Sequence, residues 1–219
     1  MAKKGNISIF VPHNGCPQQC SFCNQKTITG KSEQPTPSDV ENAVKKALAK
    51  KGYKYEIAFF GGSFTAIDRD YMVSLLKAAS AFLDNERIYG IRISTRPDFI
   101  DNEVLDILKK YGVTSVELGA QSMDDEVLAA NLRGHTSAQV ESASKLIKSY
   151  GFELGLQMMT GLYKDTDEKA VSSAEKIIAL KPDTVRIYPT VVLKGTMLAD
   201  LYEQKIYKPQ TVDYAANLC

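Results

Sequence analysis

The sequence predicts an α/β fold, a partial (β/α)6 barrel of TIM type. Strand-like and helix-like segments alternate along the chain. The strand-like segments are short and rich in β-branched and aromatic residues. They are apolar at every second position or more, as in a parallel sheet covered on one or both faces. The length of 219 residues holds six βα units with little to spare, against about 250 residues for a complete eight-unit barrel. An open doubly wound sheet is the competing arrangement of right-handed crossovers.

Strands are expected at residues 7–12, 55–60, 89–95, 113–121, 152–160 and 183–189. The first helix, 38–51, lines up Val40, Ala43, Val44, Ala47 and Leu48 and opens on Pro37-Ser38-Asp39, residues that start helices. A second helix, 71–83, follows Asp68. The third, 101–111, opens on Asp-Asn-Glu and closes before Gly112, which suits a left-handed stop. Helices 124–132 and 137–150 precede Gly151, and helix 167–180 ends ahead of Pro182. Residues 27–38 are the longest polar stretch and read as a loop. Residues 1–207 make one core domain. Residues 208–219 read as the start of a further helix without a stop signal, so the native protein is expected to continue.

Composition excludes some classes. Lys plus Arg number 27 and Asp plus Glu 26, a net charge of +1, so no global basic field drives nucleic-acid binding. No apolar run approaches the roughly 18 residues of a membrane span. The apolar run after Met1-Ala2-Lys3-Lys4 covers only Ile7 to Val11, short of the 7–15 residues of a secretory segment. The expected location is the cytoplasm, away from membranes.

Three of the four cysteines crowd together as Cys16-Pro17-Gln18-Gln19-Cys20-Ser21-Phe22-Cys23, in the loop after the first strand. Loops at the C-terminal ends of barrel strands carry the active site. Disulfides need an oxidising compartment that nothing here indicates. Structural zinc takes four ligands, often as two C-x2-C knuckles; here the second pair is missing, although His13 is near. An iron–sulfur cluster fits thiolate ligands better. Three cysteines on a four-iron cluster leave one iron open, and an open position marks a reactive metal site. Cys219 reads as an ordinary helix cysteine.

C-x3-C-x2-C with an aromatic before the last cysteine resembles the signature of the radical S-adenosylmethionine (SAM) superfamily. The resemblance implies a [4Fe–4S] cluster held by Cys16, Cys20 and Cys23, with SAM on the open iron. It implies reductive cleavage of SAM to a 5′-deoxyadenosyl radical, which abstracts hydrogen from a substrate. It also implies a flavodoxin- or ferredoxin-like electron donor. Later strand ends continue the likeness. Phe59-Phe60-Gly61-Gly62-Ser63-Phe64-Thr65 is similar to the glycine motif that meets the SAM amino group. Ile91 to Asp98, containing Ser94 and Arg96, resembles the segment reaching the SAM carboxylate or ribose; Arg96 also reads as a surface or capping residue. Val116 to Ser122 followed by Asn131-Leu132-Arg133-Gly134-His135-Thr136 resembles a stretch shared by oxygen-independent coproporphyrinogen III oxidase and the Elongator catalytic subunit. It implies SAM contacts by Gln121 and Arg133. His135 reads as a packing residue at a helix start.

Gly155 to Leu162 is similar to the ribose- and adenine-facing segment and implies a contact by Gln157, with Met158 and Met159 as core filler. Phe22 and Asn24 are implied to flank adenine, and Tyr188 is either near it or packed. Gln25 stands where the coproporphyrinogen branch has a fourth cysteine. The expected function is that of a radical SAM enzyme with an unassigned substrate. A tRNA-modifying Elongator-like enzyme and a non-enzymatic iron–sulfur or zinc module are the alternatives.

Overall fold

The computed structural model describes residues 3–12, 19–24 and 33–219. Six strands form one parallel sheet in chain order: β1 (Lys3–Val11), β2 (Tyr53–Gly61), β3 (Ile88–Thr95), β4 (Val113–Gln121), β5 (Glu153–Thr160) and β6 (Thr184–Pro189). Consecutive pairing throughout rules out a doubly wound sheet, whose order reverses at a switch point. The connecting helices are α1 (Pro37–Leu48), α2 (Arg69–Ser80), α3 (Asn102–Lys110), α4 (Asp125–Ala130), α5 (Ser137–Ser149) and α6 (Asp167–Ala179), and α7 (Met197–Glu203) and α8 (Val212–Leu218) follow β6. Each of the eight starts on a Thr or Asp whose side chain accepts a backbone N–H of the first turn, from Thr36 through Asp68, Asp101, Asp124, Thr136, Thr166, Thr196 and Thr211. Such caps contribute about 1 kcal/mol apiece.

One face of the sheet carries the core. Ile7, Ile9, Ile57, Phe59, Ile91, Ile93, Val116, Leu118, Leu154 and Leu156 pack there against Val40, Val44, Leu75, Leu105, Leu108, Val140, Ile147 and Ile177 of the helices. The alternate positions form a polar inner face. Arg92 donates to Glu56 at 2.7 Å, Ser115 donates to Glu153 at 2.6 Å, and Arg186 Nε lies 3.2 Å from Glu117. The guanidinium of Arg186 on β6 sits 5.8 Å from the ring centroid of Phe60 on β2. In a flat sheet those strands would lie roughly 19 Å apart at about 4.8 Å per step, so the sheet curls into an open partial barrel. Of the two coverings expected, the apolar residues lie on one face, the outer one. β6 is exposed along most of its length, with Val185 and Ile187 at 42% and 40%.

Candidate functional site

The inner positions at the C-terminal strand ends converge on one cleft of about 190 Å³. Cys20, Phe22, Cys23, Gly61, Gly62, Ser63, Ser94, Gln121, Arg133 and Gln157 all line it, together with Thr95, Arg96, Glu117 and Gly119. Ten of the sequence-assigned residues therefore meet, from six separate segments. Asn24 is not among the lining residues; its amide donates to the carbonyls of Lys194 and Gly195 at 3.3 Å and ties the cysteine loop to the segment after β6. Cys16 and His13 lie outside the described residues. Cys219 lines a different, apolar hollow beside α6. A larger cavity, between residues 161–168 and 206–214, holds none of the assigned residues.

Local backbone explains the convergence. Gly61 ends β2 at φ +121°, and a Cβ there would stand 2.4 Å from the Val11 carbonyl oxygen. Only glycine fits such a position. Gly62 then donates its N–H to that same carbonyl at 3.0 Å. Ser63 opens a short 3-10 turn, Phe64–Ala66. Thr65 donates to the Phe99 carbonyl at 2.7 Å and lies 2.6 Å from the Thr95 hydroxyl, which fastens this loop to β3. Gln121 leaves β4 at φ 67°, a left-handed conformation that costs a side-chain-bearing residue about 1–2 kcal/mol. That turn points its amide to the cleft, where Gln157 donates to it at 3.3 Å. Leu132, also left-handed at φ 55°, reverses the chain after α4 and delivers Arg133.

Arg133 is the electrostatic centre. It is 6% exposed. Its Nη1 donates to Cys20 Sγ at 3.0 Å and its Nη2 to the Gly119 carbonyl at 2.7 Å. A Cβ on Gly119 would stand 2.8 Å from the Gln121 amide nitrogen and 3.4 Å from Arg133 Nη2, so any larger residue would fill the cleft. Arg96 is buried rather than superficial. It holds Asp98 through two bonds of 2.9 Å and donates to the Arg133 carbonyl at 2.5 Å. Sequence reasoning missed this brace because its last contact spans 37 residues.

His135 is buried, with Nε2 3.2 Å from the Ala120 carbonyl oxygen. Burial, then the neighbouring Arg133 guanidinium, push its pKa down to about 4. It therefore serves as a neutral packing group that steadies the end of β4, as its sequence context implied. The unfolded histidine titrates near 6.5, so the unfolded chain takes up a proton first as pH falls. Its contribution is intact above about pH 6.5 and is lost toward pH 4, up to roughly 3 kcal/mol. Urea melts at pH 7 and pH 4.5 should show a smaller pH penalty for His135→Gln than for the wild type; equal penalties would count against a depressed pKa.

The residues suit an iron–sulfur cluster and a small amino-acid conjugate. Cys20 and Cys23 bring soft sulfur atoms to the cleft. Arg133 Nε and the Ser94 hydroxyl are buried and have no hydrogen-bond partner among the described residues, the condition expected where a polar ligand completes the bonding.

The family model for the radical SAM superfamily matches residues 10–177. The chain belongs to the radical SAM superfamily. A radical SAM C-terminal domain model also matches residues 182–219. Among curated proteins, the chain is 27% identical to a tRNA uridine(34) acetyltransferase of Dehalococcoides mccartyi over 93% of this chain and 52% of that protein. It is 28% identical to Elongator complex protein 3 of Saccharomyces cerevisiae over 99% of this chain and 43% of that protein. It thus spans about half the length of these relatives, or less. Among solved structures, an N-terminally truncated archaeal Elp3 of Methanocaldococcus infernus aligns with TM-score 0.79 at 21% identity, covering 100% of this chain and 53% of that one. The coproporphyrinogen III oxidase of Escherichia coli aligns with TM-score 0.67 at 19% identity, covering 99% and 50%. At these identities the two structures show the fold, the partial radical SAM barrel. Radical SAM proteins are enzymes that work with a [4Fe–4S] cluster and SAM. No helix among the described residues is long and apolar enough to cross a membrane.

Proposed function

We propose that this chain binds a [4Fe–4S] cluster through Cys16, Cys20 and Cys23 and reductively cleaves SAM for hydrogen abstraction from a substrate. The observation that supports it is the single cleft in which Cys20, Cys23, the Gly61–Ser63 turn, Ser94, Gln121, Arg133 and Gln157 meet. When bound, a reduced cluster would supply one electron to the sulfonium of SAM, breaking its C5′–S bond to leave methionine and a 5′-deoxyadenosyl radical. The chain's own residues bind, orient and exclude water. Arg133 offers a guanidinium donor to the methionine carboxylate, since its Nε has no partner among the described residues; charge-assisted bonds of this kind are the strong ones. Gly61 and Gly62 let the backbone approach the amino group closely. Gln121 and Gln157 present amides to the ribose, Ser94 a hydroxyl beside them, and Phe22 an apolar wall. The ion pairs of Glu56 with Arg92 and Glu117 with Arg186 lie on the same inner face.

Anaerobic reconstitution should yield about four irons per chain. With dithionite standing in for a flavodoxin- or ferredoxin-like donor, SAM should then be converted to 5′-deoxyadenosine. Iron binding without any turnover of SAM would count against the reading.

Within this branch, a tRNA-modifying role is the second reading. It is favoured by similarity to tRNA uridine(34) acetyltransferases and Elongator proteins. Lys194, Lys205 and Lys208 are exposed on the segment after β6, with Asp200 and Glu203 exposed among them. The same preparation should bind tRNA with an affinity that falls steeply between low and physiological salt; salt-insensitive or absent binding would leave a small-molecule substrate.

A further inference from the structure

Outside the assigned residues, one buried polar cluster joins the cysteine loop to the rest of the fold. Ser21, the residue after Cys20, is fully buried. Its N–H donates to the Asn131 carbonyl at 3.1 Å, and its hydroxyl donates to Asn131 Oδ1 at 2.7 Å. Its carbonyl accepts the Leu198 N–H at 2.8 Å, from the first turn of α7. Every polar group of Ser21 is thus satisfied by residues more than a hundred positions away. Asn131 is likewise fully buried. Its Nδ2 donates to the carbonyls of Val127 in α4 at 2.8 Å and of Tyr163, after β5, at 2.9 Å. Serine at position 21 is small enough for such a place, and only an amide at 131 can both accept from it and donate twice.

The consequence reaches the cleft from both sides. On one side, Ser21 stands between Cys20 and the turn in which Cys23 N–H donates to the Cys20 carbonyl at 3.1 Å. On the other, Asn131 is two residues before Arg133, whose guanidinium touches Cys20 Sγ. One side-chain pair therefore sets where the thiols sit and where the arginine meets them.

We infer that Ser21 and Asn131 are a positioning pair that holds the cysteine loop in the ligand-ready geometry before any iron is bound. The inference rests on the reading of Cys20 and Cys23 as cluster ligands, but it makes a statement about the metal-free chain that can be tested separately. A loop held by buried bonds opens rarely, and removing one such bond raises the open population by about five- to tenfold. Opening exposes Cys20, which is 7% accessible.

The experiment is residue-resolved alkylation of the metal-free chain with iodoacetamide, read by mass spectrometry, for wild type, Ser21→Ala, Asn131→Ala and the double variant. Cys20 should react about five to ten times faster in each single variant. The double variant should be no faster than Asn131→Ala alone, because the two groups act as one. Cys219, exposed at the chain end, should keep its rate and so report equal reagent exposure, while far-UV circular dichroism reports that the fold is retained. Ser21→Ala removes a single oxygen and guards against outright unfolding by Asn131→Ala. The same proteins, reconstituted anaerobically, should lose iron to a chelator faster than wild type and show a broadened reduced-cluster electron paramagnetic resonance signal. Wild-type alkylation rates in both single variants, or strictly additive effects, would overturn the inference. If wild type itself fails to take up iron, the cofactor reading falls, while the alkylation result still decides whether the pair holds the loop.

Discussion

Replacing Cys20 by alanine is expected to eliminate reductive cleavage of SAM. Under the proposed assignment it removes one of three thiolates, and no further cysteine, among the described residues, lines the cleft to take its place. Cys219 lines another hollow. Iron retained after anaerobic reconstitution should fall well below about four per chain, and 5′-deoxyadenosine should drop to background. Cys23→Ala should behave the same way, whereas Cys219→Ala should match wild type. The variant also releases Arg133 Nη1 from its 3.0 Å contact, so some loosening of the loop is expected. Circular dichroism would separate that from loss of fold, because the apolar core lies on the opposite face of the sheet. Undiminished 5′-deoxyadenosine formation by Cys20→Ala would refute the cluster assignment.

Arg133→Ala is expected to weaken SAM binding about 10–100-fold, the range for losing one hydrogen bond to a charged partner at roughly 1.5–3 kcal/mol. Arg133→Lys should recover only part of that. A lysine keeps the charge but not the planar fork that reaches both Cys20 and the Gly119 carbonyl. Equilibrium dialysis with radiolabelled SAM on the reconstituted protein measures the effect. The substitution has an independent signature. Removing the guanidinium takes away the second cause of the low His135 pKa, so the imidazole should titrate above about 4, while burial, the first cause, still holds it below 6.5. A wild-type SAM affinity in Arg133→Ala would show that the guanidinium serves the cysteine loop alone.

Much of the barrel could be read from the chain because each βα unit is a local statement. An apolar run, a Thr or Asp cap and an amphipathic stripe lie within some thirty residues of one another. The misreadings have tertiary causes. The first strand begins at Lys3 rather than residue 7, because its polar start is held by pairing with Tyr53–Tyr55 across the sheet. The helix expected over 124–132 stops at Ala130, since Asn131 is drawn into the cysteine loop and Leu132 turns left-handed. The helix Met197–Glu203 was not foreseen; it is one short turn pair started by Thr196 and anchored on Ser21.

The candidate site divides the same way. Cysteine spacing, the Gly61-Gly62 turn and the Gln121 and Arg133 segments are patterns of neighbouring residues. Such patterns are set locally, because tight turns and close backbone approach demand particular residue types. The sequence by itself therefore determined the order of the units, the cysteine chemistry and the strand ends that would carry the site. Only the tertiary structure decided that Arg96 is buried, that Asn24 faces the segment after β6, that Glu117 pairs with Arg186, and that Ser21 sits on Asn131. Each of these is a contact between segments far apart in the chain. The curl of the sheet, and not any run of residues, brings those segments within hydrogen-bond range.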